Sequence, residues 1–92
     1  MDDVILKEWA ELSALALELN DSDKFPVFLD MAGHVESFIL RVGYDTDVTY
    51  FQLPIASGSE FLSSRIAFNE SNIKAAKDWL TARHGDMVAN AA

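Results

Sequence analysis

Apolar residues recur at helical spacing along the first part of the chain. Between Asp3 and Leu19 they return every three or four residues: Ile5, Trp9, Leu12, Ala16 and Leu19, with Leu6, Leu15 and Leu17 widening the stripe. This spacing places them on one side of an α-helix. Asn20, Asp21 and Ser22 follow, and such residues favour turns because their side chains bond to nearby backbone. The pattern predicts a broad-faced, buried helix over 3–19.

The next segment, FPVFLDMAGHVESFILRV at 25–42, reads as a hairpin with apolar residues on both faces. Gly33 and His34 suit a two-residue turn that needs glycine at its first central position. This turn sets six pairs: Leu29–Phe38, Val27–Leu40 and Phe25–Val42 on one face, and Phe28–Ile39, Asp30–Ser37 and Pro26–Arg41 on the other. Pro26 has no amide to donate, which places the first strand at a sheet edge or begins it there.

Two further strands are predicted after this hairpin. A four-residue loop at 44–47 returns the chain as VTYFQLPI, and a loop at 57–60 brings in FLSSRIAF. The first return sets Phe51 and Leu53 opposite Leu40 and Phe38, so that core face meets core face. These segments complete a four-stranded antiparallel meander.

A second helix is predicted to begin at Glu70. Asn69 is a favourable N-cap, and Phe68 and Ile73 occupy the two positions of a hydrophobic staple. Its buried stripe is Ile73, Ala76, Trp79 and Leu80. The sequence RHG at 83–85 is typical of a helix C-terminus, which ends the domain at Gly85 and leaves 86–92 as a flexible tail.

The order of elements is therefore α-β-β-β-β-α, in one domain over 1–85. Four strands span about 19 Å at ~4.8 Å each. Two helices of ~10 Å diameter cover about the same width. Both helices can then lie on one face of the sheet, which predicts an α+β fold, a two-layer sandwich.

The composition of the chain limits the classes of partner that it can bind. Fifteen acidic residues against seven Lys and Arg give a formal net charge of −8, which opposes binding to phosphate backbones and favours basic partners or plain solubility. The absence of cysteine excludes disulfides and thiolate metal sites. The first residues, MDDVILKEWAEL, carry acids where a secretory signal is positive. These features predict a soluble cytoplasmic protein.

Candidate chemistry is sparse. His34 and His84 have no second ligand at metal-binding spacing, and the serine-rich stretch ASGSEFLSS at 56–64 lacks both the phosphate-loop lysine and the GxSxG elbow. Trp9 and Trp79 fall on apolar stripes and are interpreted as core anchors that face each other across the layer. We predict no catalytic site, no metal and no cofactor.

The second face of the sheet is the candidate site. Its proposed contact residues are Phe28, Val35, Ile39, Arg41, Val48 and Tyr50. The water-facing side of an open antiparallel sheet is usually mostly polar. Apolar residues on this side therefore predict a surface that binds a protein partner or a second copy in a homodimer. Arg41 lies opposite Tyr50 in this arrangement, a pairing suited to cation–π packing. The alternative is that a helix or the C-terminal tail covers this face.

Two other functions stay open at this point. The acids of the first helix and its flanks could imitate nucleic-acid charge and occupy a DNA- or RNA-binding protein: Asp2, Asp3, Glu8, Glu11, Glu18, Asp21 and Asp23. The sheet face could instead bind single-stranded nucleic acid, with Phe28, Tyr50 and Phe61 as stacking platforms, although the net charge opposes this.

The layout of the elements and the stretch GHVESFILRVGY, over about residues 25 to 85, resemble small accessory proteins encoded by phages and prophages. The resemblance implies a host-directed or regulatory binding role. It assigns no functional residue.

Overall fold

The computed structural model describes residues 3–21, 23–33, 36–43, 48–54 and 62–91. Its elements are α1 (Asp3–Leu19), β1 (Val27–Ala32), β2 (Ser37–Val42), β3 (Thr49–Tyr50), β4 (Leu53–Pro54), β5 (Leu62–Ser63), β6 (Ile66–Ala67) and α2 (Glu70–Ala91). The predicted α+β class, with terminal helices and an antiparallel sheet, is confirmed. Asp2, His34, Val35, Phe61 and both predicted loops, 44–47 and 57–60, lie outside the described residues.

The core lies between the sheet and the two helices. Even-numbered residues of β2 point into it, because successive side chains of a strand alternate between faces. They join residues from both helices in one buried cluster: Leu12 and Ala16 from α1, Phe38, Leu40 and Val42 from β2, Phe51, Ile66, and Ile73, Ala76 and Leu80 from α2. Since both helices cover the same side of β2, they lie on one face of the sheet, as predicted.

The β1–β2 hairpin has the predicted faces but a different register. Leu29 pairs with Leu40 and Phe28 with Arg41, a shift of two residues from the predicted pairs. The connection therefore spans 33–36 and not the two residues Gly33 and His34. The amide of Glu36 donates to the Gly33 carbonyl, and Glu36 has a φ of 48°. A shift of two leaves every side chain on its face, since the side-chain period of a strand is two.

The other edge of β2 is shared between two strands. Its C-terminal half pairs with β3, where Arg41 lies opposite Tyr50 in the predicted register. Its N-terminal half pairs with β6, so that Phe38 lies opposite Ile66. Between these contacts, β4 and β5 form a separate two-stranded hairpin. The predicted third strand therefore divides into β3 and β4, and the predicted fourth strand divides into β5 and β6. After the β4–β5 hairpin the chain returns to β2 at β6, which completes the four-stranded sheet.

The helix α1 has the predicted bounds but a narrower buried side. Leu12 and Ala16 are buried, whereas Leu6 is 50% and Leu17 79% exposed. The prediction that these two leucines widen the buried stripe is wrong. Glu8, a charged residue, is buried on the side that faces α2, where it meets a lysine of that helix.

The helix α2 begins as predicted and extends further. The Asn69 carboxamide oxygen accepts a hydrogen bond from the Asn72 amide at 2.8 Å, which confirms the N-cap. The helix does not end at Gly85 but runs to Ala91. Glycine inside a helix costs only about 1 kcal/mol relative to alanine. Met87, two residues further on, packs against the core and offsets that cost.

Aromatic side chains close the two ends of the core. Trp9 makes edge contacts with Phe38 and Phe68, with ring centroids 5.4 and 4.9 Å apart. Trp79 packs against Phe51 at 5.7 Å. Both tryptophans border the buried cluster, as predicted, but each packs against different aromatic residues and not against the other tryptophan.

The strand β1 is the edge strand, and its beginning is tied down. The Asn20 carboxamide oxygen accepts a hydrogen bond from the Val27 amide at 2.8 Å. Asp21 and Phe25 exchange two backbone hydrogen bonds, of 3.1 and 2.9 Å, in the turn between α1 and β1. The Asn20 side chain, in the turn after α1, thus pairs with the first backbone amide of this edge strand.

A partly buried lysine joins the two helices. The Lys77 ammonium contacts the carboxylate of Glu8 and donates a hydrogen bond to that of Glu11 at 2.7 Å. The hydrogen bonds to Glu11 and then Glu8 raise the pKa of Lys77. The hydrogen bond from Lys77, followed by its charge, lowers the pKa of Glu11 below the ordinary 4.5.

We expect the lowered pKa of Glu11 to make folding sensitive to acid. A carboxyl with a depressed pKa stabilises the fold fully above its unfolded pKa, and this contribution is lost as the pH falls through the folded value. Urea unfolding of the wild type and of Glu11→Gln should differ most at neutral pH and converge below pH 4.5. A difference that does not change with pH would contradict this.

Candidate protein-interaction surface

The side of the sheet opposite the helices carries a set of residues that we call the open sheet face. Odd-numbered residues of β2 lie on it, together with the residues that pair directly opposite them: Phe28, Asp30, Ala32, Ser37, Ile39, Arg41, Tyr50 and Ala67. Asp30 is exposed and Tyr50 is 37% exposed, and Phe28, Ile39 and Arg41 are partly exposed. Ser37, at the N-terminal end of β2, is buried, so the accessible part of the face lies towards Arg41. Within the described residues both helices pack on the other side, so neither helix crosses to cover this face. Residues 86–91 of the predicted tail belong to α2.

Three of these residues form a row across three strands. Phe28, Arg41 and Tyr50 lie directly opposite one another on β1, β2 and β3. The guanidinium carbon of Arg41 lies 4.3 Å from the centroid of the Phe28 ring. Stacking of this kind is worth about 0.5–1 kcal/mol at an exposed site, and it holds the guanidinium in place. Arg41 is opposite Tyr50, as predicted, but Phe28 is the ring beneath it.

The second row of the open sheet face, Asp30 and Ile39, carries a negative charge, whereas the first row carries the positive charge of Arg41. Asp30 lies opposite Ile39, one pleat from the Phe28–Arg41 pair. Ion pairs within 4.0 Å between described residues have Lys74 and Lys77 as their cations. Asp30 and Arg41 are thus near neighbours on one face without forming a salt bridge with each other.

Two predicted contact residues, Val48 and Val35, are not among the described paired residues of this face. Val48 is partly buried and directly precedes β3. Val35 lies outside the described residues. The choice of contact residues therefore stays a prediction. Asp30 is not among the predicted contact residues, although the alternation of side chains along β1 places it on this face.

The two nucleic-acid hypotheses meet local obstacles. Arg41 occupies a face of the Phe28 ring, which reduces the surface on which a base could stack. Of the acids proposed to imitate nucleic acid, Glu8 is buried and Glu11 is bonded to Lys77. Asp3, Glu18, Asp21 and Asp23 are exposed. Fewer acidic residues are therefore available to imitate nucleic acid, and less aromatic surface is available to stack on bases, than the sequence predicted.

Other chemistry is not evident in the described ranges. They contain no group of three or more His, Asp or Glu side chains that could hold a metal ion. His84 makes an edge contact with the Phe25 ring, with centroids 6.0 Å apart. Over the same ranges, no helix has the length and apolar character needed to cross a membrane.

Comparison with known proteins returned no match to a family model, a curated protein or a solved structure. The resemblance to phage accessory proteins accordingly stays a prediction.

Proposed function

We propose that the chain is a small acidic protein-interaction module that binds through the open sheet face. The observation that carries this proposal is the row of Phe28, Arg41 and Tyr50, which lies opposite the helices with a stacked guanidinium at its centre. A regulatory role, which the resemblance to phage accessory proteins implies, would be of this kind.

The composition of this face supports binding to protein. Water-facing sides of antiparallel sheets are mostly polar, whereas here aromatic and aliphatic residues alternate with single charges. Tyrosine, phenylalanine and arginine are enriched in the buried centres of protein interfaces, because they bring large contact areas with few rotatable bonds. Ile39 lies among them, on the central strand, which makes it the best position for a disruptive charge.

The test compares three immobilised baits: the wild type, Ile39→Asp and Leu17→Asp. The last is a matched control that places the same charge on the outer side of α1, where Leu17 is 79% exposed. Any protein enriched by the wild type is then purified and titrated against all three. We expect binding at least tenfold weaker for Ile39→Asp, the effect of an interface hot spot of ~1.4 kcal/mol or more.

Leu17→Asp should bind like the wild type. Equal affinity for Ile39→Asp would rule out the open sheet face as the binding surface. Circular dichroism and urea unfolding establish that each bait is folded, so a loss of binding is not mistaken for a loss of structure.

A further inference from the structure

We infer that the occupant of the open sheet face is a second copy of this chain, held by reciprocal salt bridges between Asp30 and Arg41. This inference rests on the proposed function and specifies its partner. It follows from the charge arrangement of the face, from the geometry of a two-fold axis and from the charge of the rest of the molecule.

The face carries one negative and one positive group that form no salt bridge within the described chain. In the observed register Asp30 pairs with Ile39 and Arg41 with Phe28, so the two charges lie diagonally across two strands. Diagonal neighbours are about 7–8 Å apart at their Cα atoms. Arg41 instead stacks on Phe28, and the nearby carboxylate of Asp30 is exposed. Each group is thus available to an opposite charge on another molecule.

A two-fold axis makes this arrangement complementary to itself. In a symmetric dimer, if one residue contacts another, the reverse contact also forms. A two-fold axis in the plane of the interface that crosses the line from Asp30 to Arg41 at its midpoint and at a right angle brings each residue opposite the other residue of the second copy. The same axis passes close to Phe28 and Ile39, so each of these meets its own equivalent. Two salt bridges then flank an apolar centre.

This axis also fixes the packing of the two sheets. It runs obliquely to the strands, so the strands of the two copies cross at roughly 70°, which is nearer to the orthogonal of the two ordinary ways in which sheets pack face to face. The face needs no rearrangement of the backbone for this contact, because all four residues lie on paired strands.

Charge elsewhere favours this face over others. The chain has a formal net charge of −8, so two copies repel one another over most orientations. Asp30 and Arg41 balance each other on the open sheet face. Approach through this face therefore brings opposite charges together, whereas approach through α1 sets exposed acids such as Glu18 against each other.

The size of the face sets the expected strength. Two strands of six residues, β1 and β2, and the two residues of β3 fit within a patch of roughly 14 by 20 Å, at ~4.8 Å per strand and ~3.3 Å per residue. This is smaller than the ~800 Å² that each partner contributes to a standard interface. We therefore expect a weak, reversible dimer with a dissociation constant on the order of 100 µM.

The experiment is sedimentation equilibrium at moderate salt, at protein concentrations up to about 1 mM, ten times the expected dissociation constant. The wild type should dimerise, and Asp30→Arg and Arg41→Asp should each be monomeric, because each sets like charges opposite one another. An equal mixture of the two variants should recover a dimer. In that mixed pair the introduced arginine of one variant faces the introduced aspartate of the other, while the unchanged Arg41 and Asp30 still meet across the interface. Asp78→Arg and Lys24→Asp are matched controls for the change in net charge, on exposed residues outside this face.

A wild type that stays monomeric overturns the inference, as does dimerisation that survives both reversals or a mixture that does not associate. Should Arg41→Asp fail to fold, the Asp30→Arg/Arg41→Asp double variant replaces the mixture: it should dimerise as the wild type does. A monomeric wild type removes only the second copy as occupant. The proposed function fails separately, when no protein binds in a manner that depends on Ile39.

Discussion

Replacing Phe38 with alanine is expected to lower the free energy of unfolding by about 3–5 kcal/mol. The side chain is 1% exposed at the centre of the core, where it contacts Trp9 and Phe68. Its removal loses both the burial of the ring and the contacts around the cavity that remains. Domains of this size are stable by only about 5–15 kcal/mol, so the variant should be partly unfolded or close to it. Urea unfolding followed by circular dichroism measures the loss.

Leu17→Ala is the matched control for Phe38→Ala, because it also truncates a large apolar residue. Leu17 is 79% exposed, and surface substitutions of this kind change stability by no more than about 0.5 kcal/mol. Similar losses in the two variants would mean that the core does not lie between β2 and the helices.

The second large effect is expected at Lys77. Lys77→Met should destabilise the fold by about 1–3 kcal/mol, because it leaves the Glu8 carboxylate without a cation in a site where only 10% of that side chain is exposed. The loss stays below that of a fully buried pair, since Lys77 itself is 22% exposed and water can enter after the change. Urea unfolding at neutral pH provides the measurement.

Two further variants separate charge from packing at this position. Lys74→Met removes an equivalent ion pair on the surface of α2, where Lys74 and Glu70 are 54% and 48% exposed, and should cost no more than about 0.5 kcal/mol. Glu8→Gln added to Lys77→Met should recover part of the stability, because a neutral amide costs less to bury than a charge. Equal losses for Lys74→Met and Lys77→Met would show that Glu8 is well solvated.

Local patterns in the sequence predicted the elements better than their pairing. The bounds of α1 and the Asn69 cap followed from apolar spacing and from one side chain that bonds to the backbone. The register of β3 against β2 also followed, but the predicted Leu53–Phe38 pair is wrong, because β6 takes that part of β2 and Phe38 lies opposite Ile66. The β1–β2 register did not follow, because Gly33 and His34 fit a two-residue turn while the chain uses a longer connection ending at Glu36 with positive φ. Turn chemistry alone does not distinguish these lengths.

The open sheet face was predictable because alternation fixes faces even when register is wrong. A two-residue shift kept Phe28, Ile39 and Arg41 on the same side, although it changed which residues lie opposite each other. Contacts between distant segments could not be read in this way. The Lys77–Glu11 bond joins residues 66 positions apart, and the exposure of Leu17 depends on how much of α1 the other elements cover.

The bond between Asn20 and Val27 bears on how large any assembly can become. Strand addition at a free edge can repeat without limit, because each new strand presents another edge, and this is the route to fibrils. Here the side chain of Asn20 already occupies the first amide of β1. A symmetric contact through the open sheet face, by contrast, covers that face when two copies associate, because a two-fold contact closes on itself. A chain built in this way would favour finite pairs over open-ended polymers.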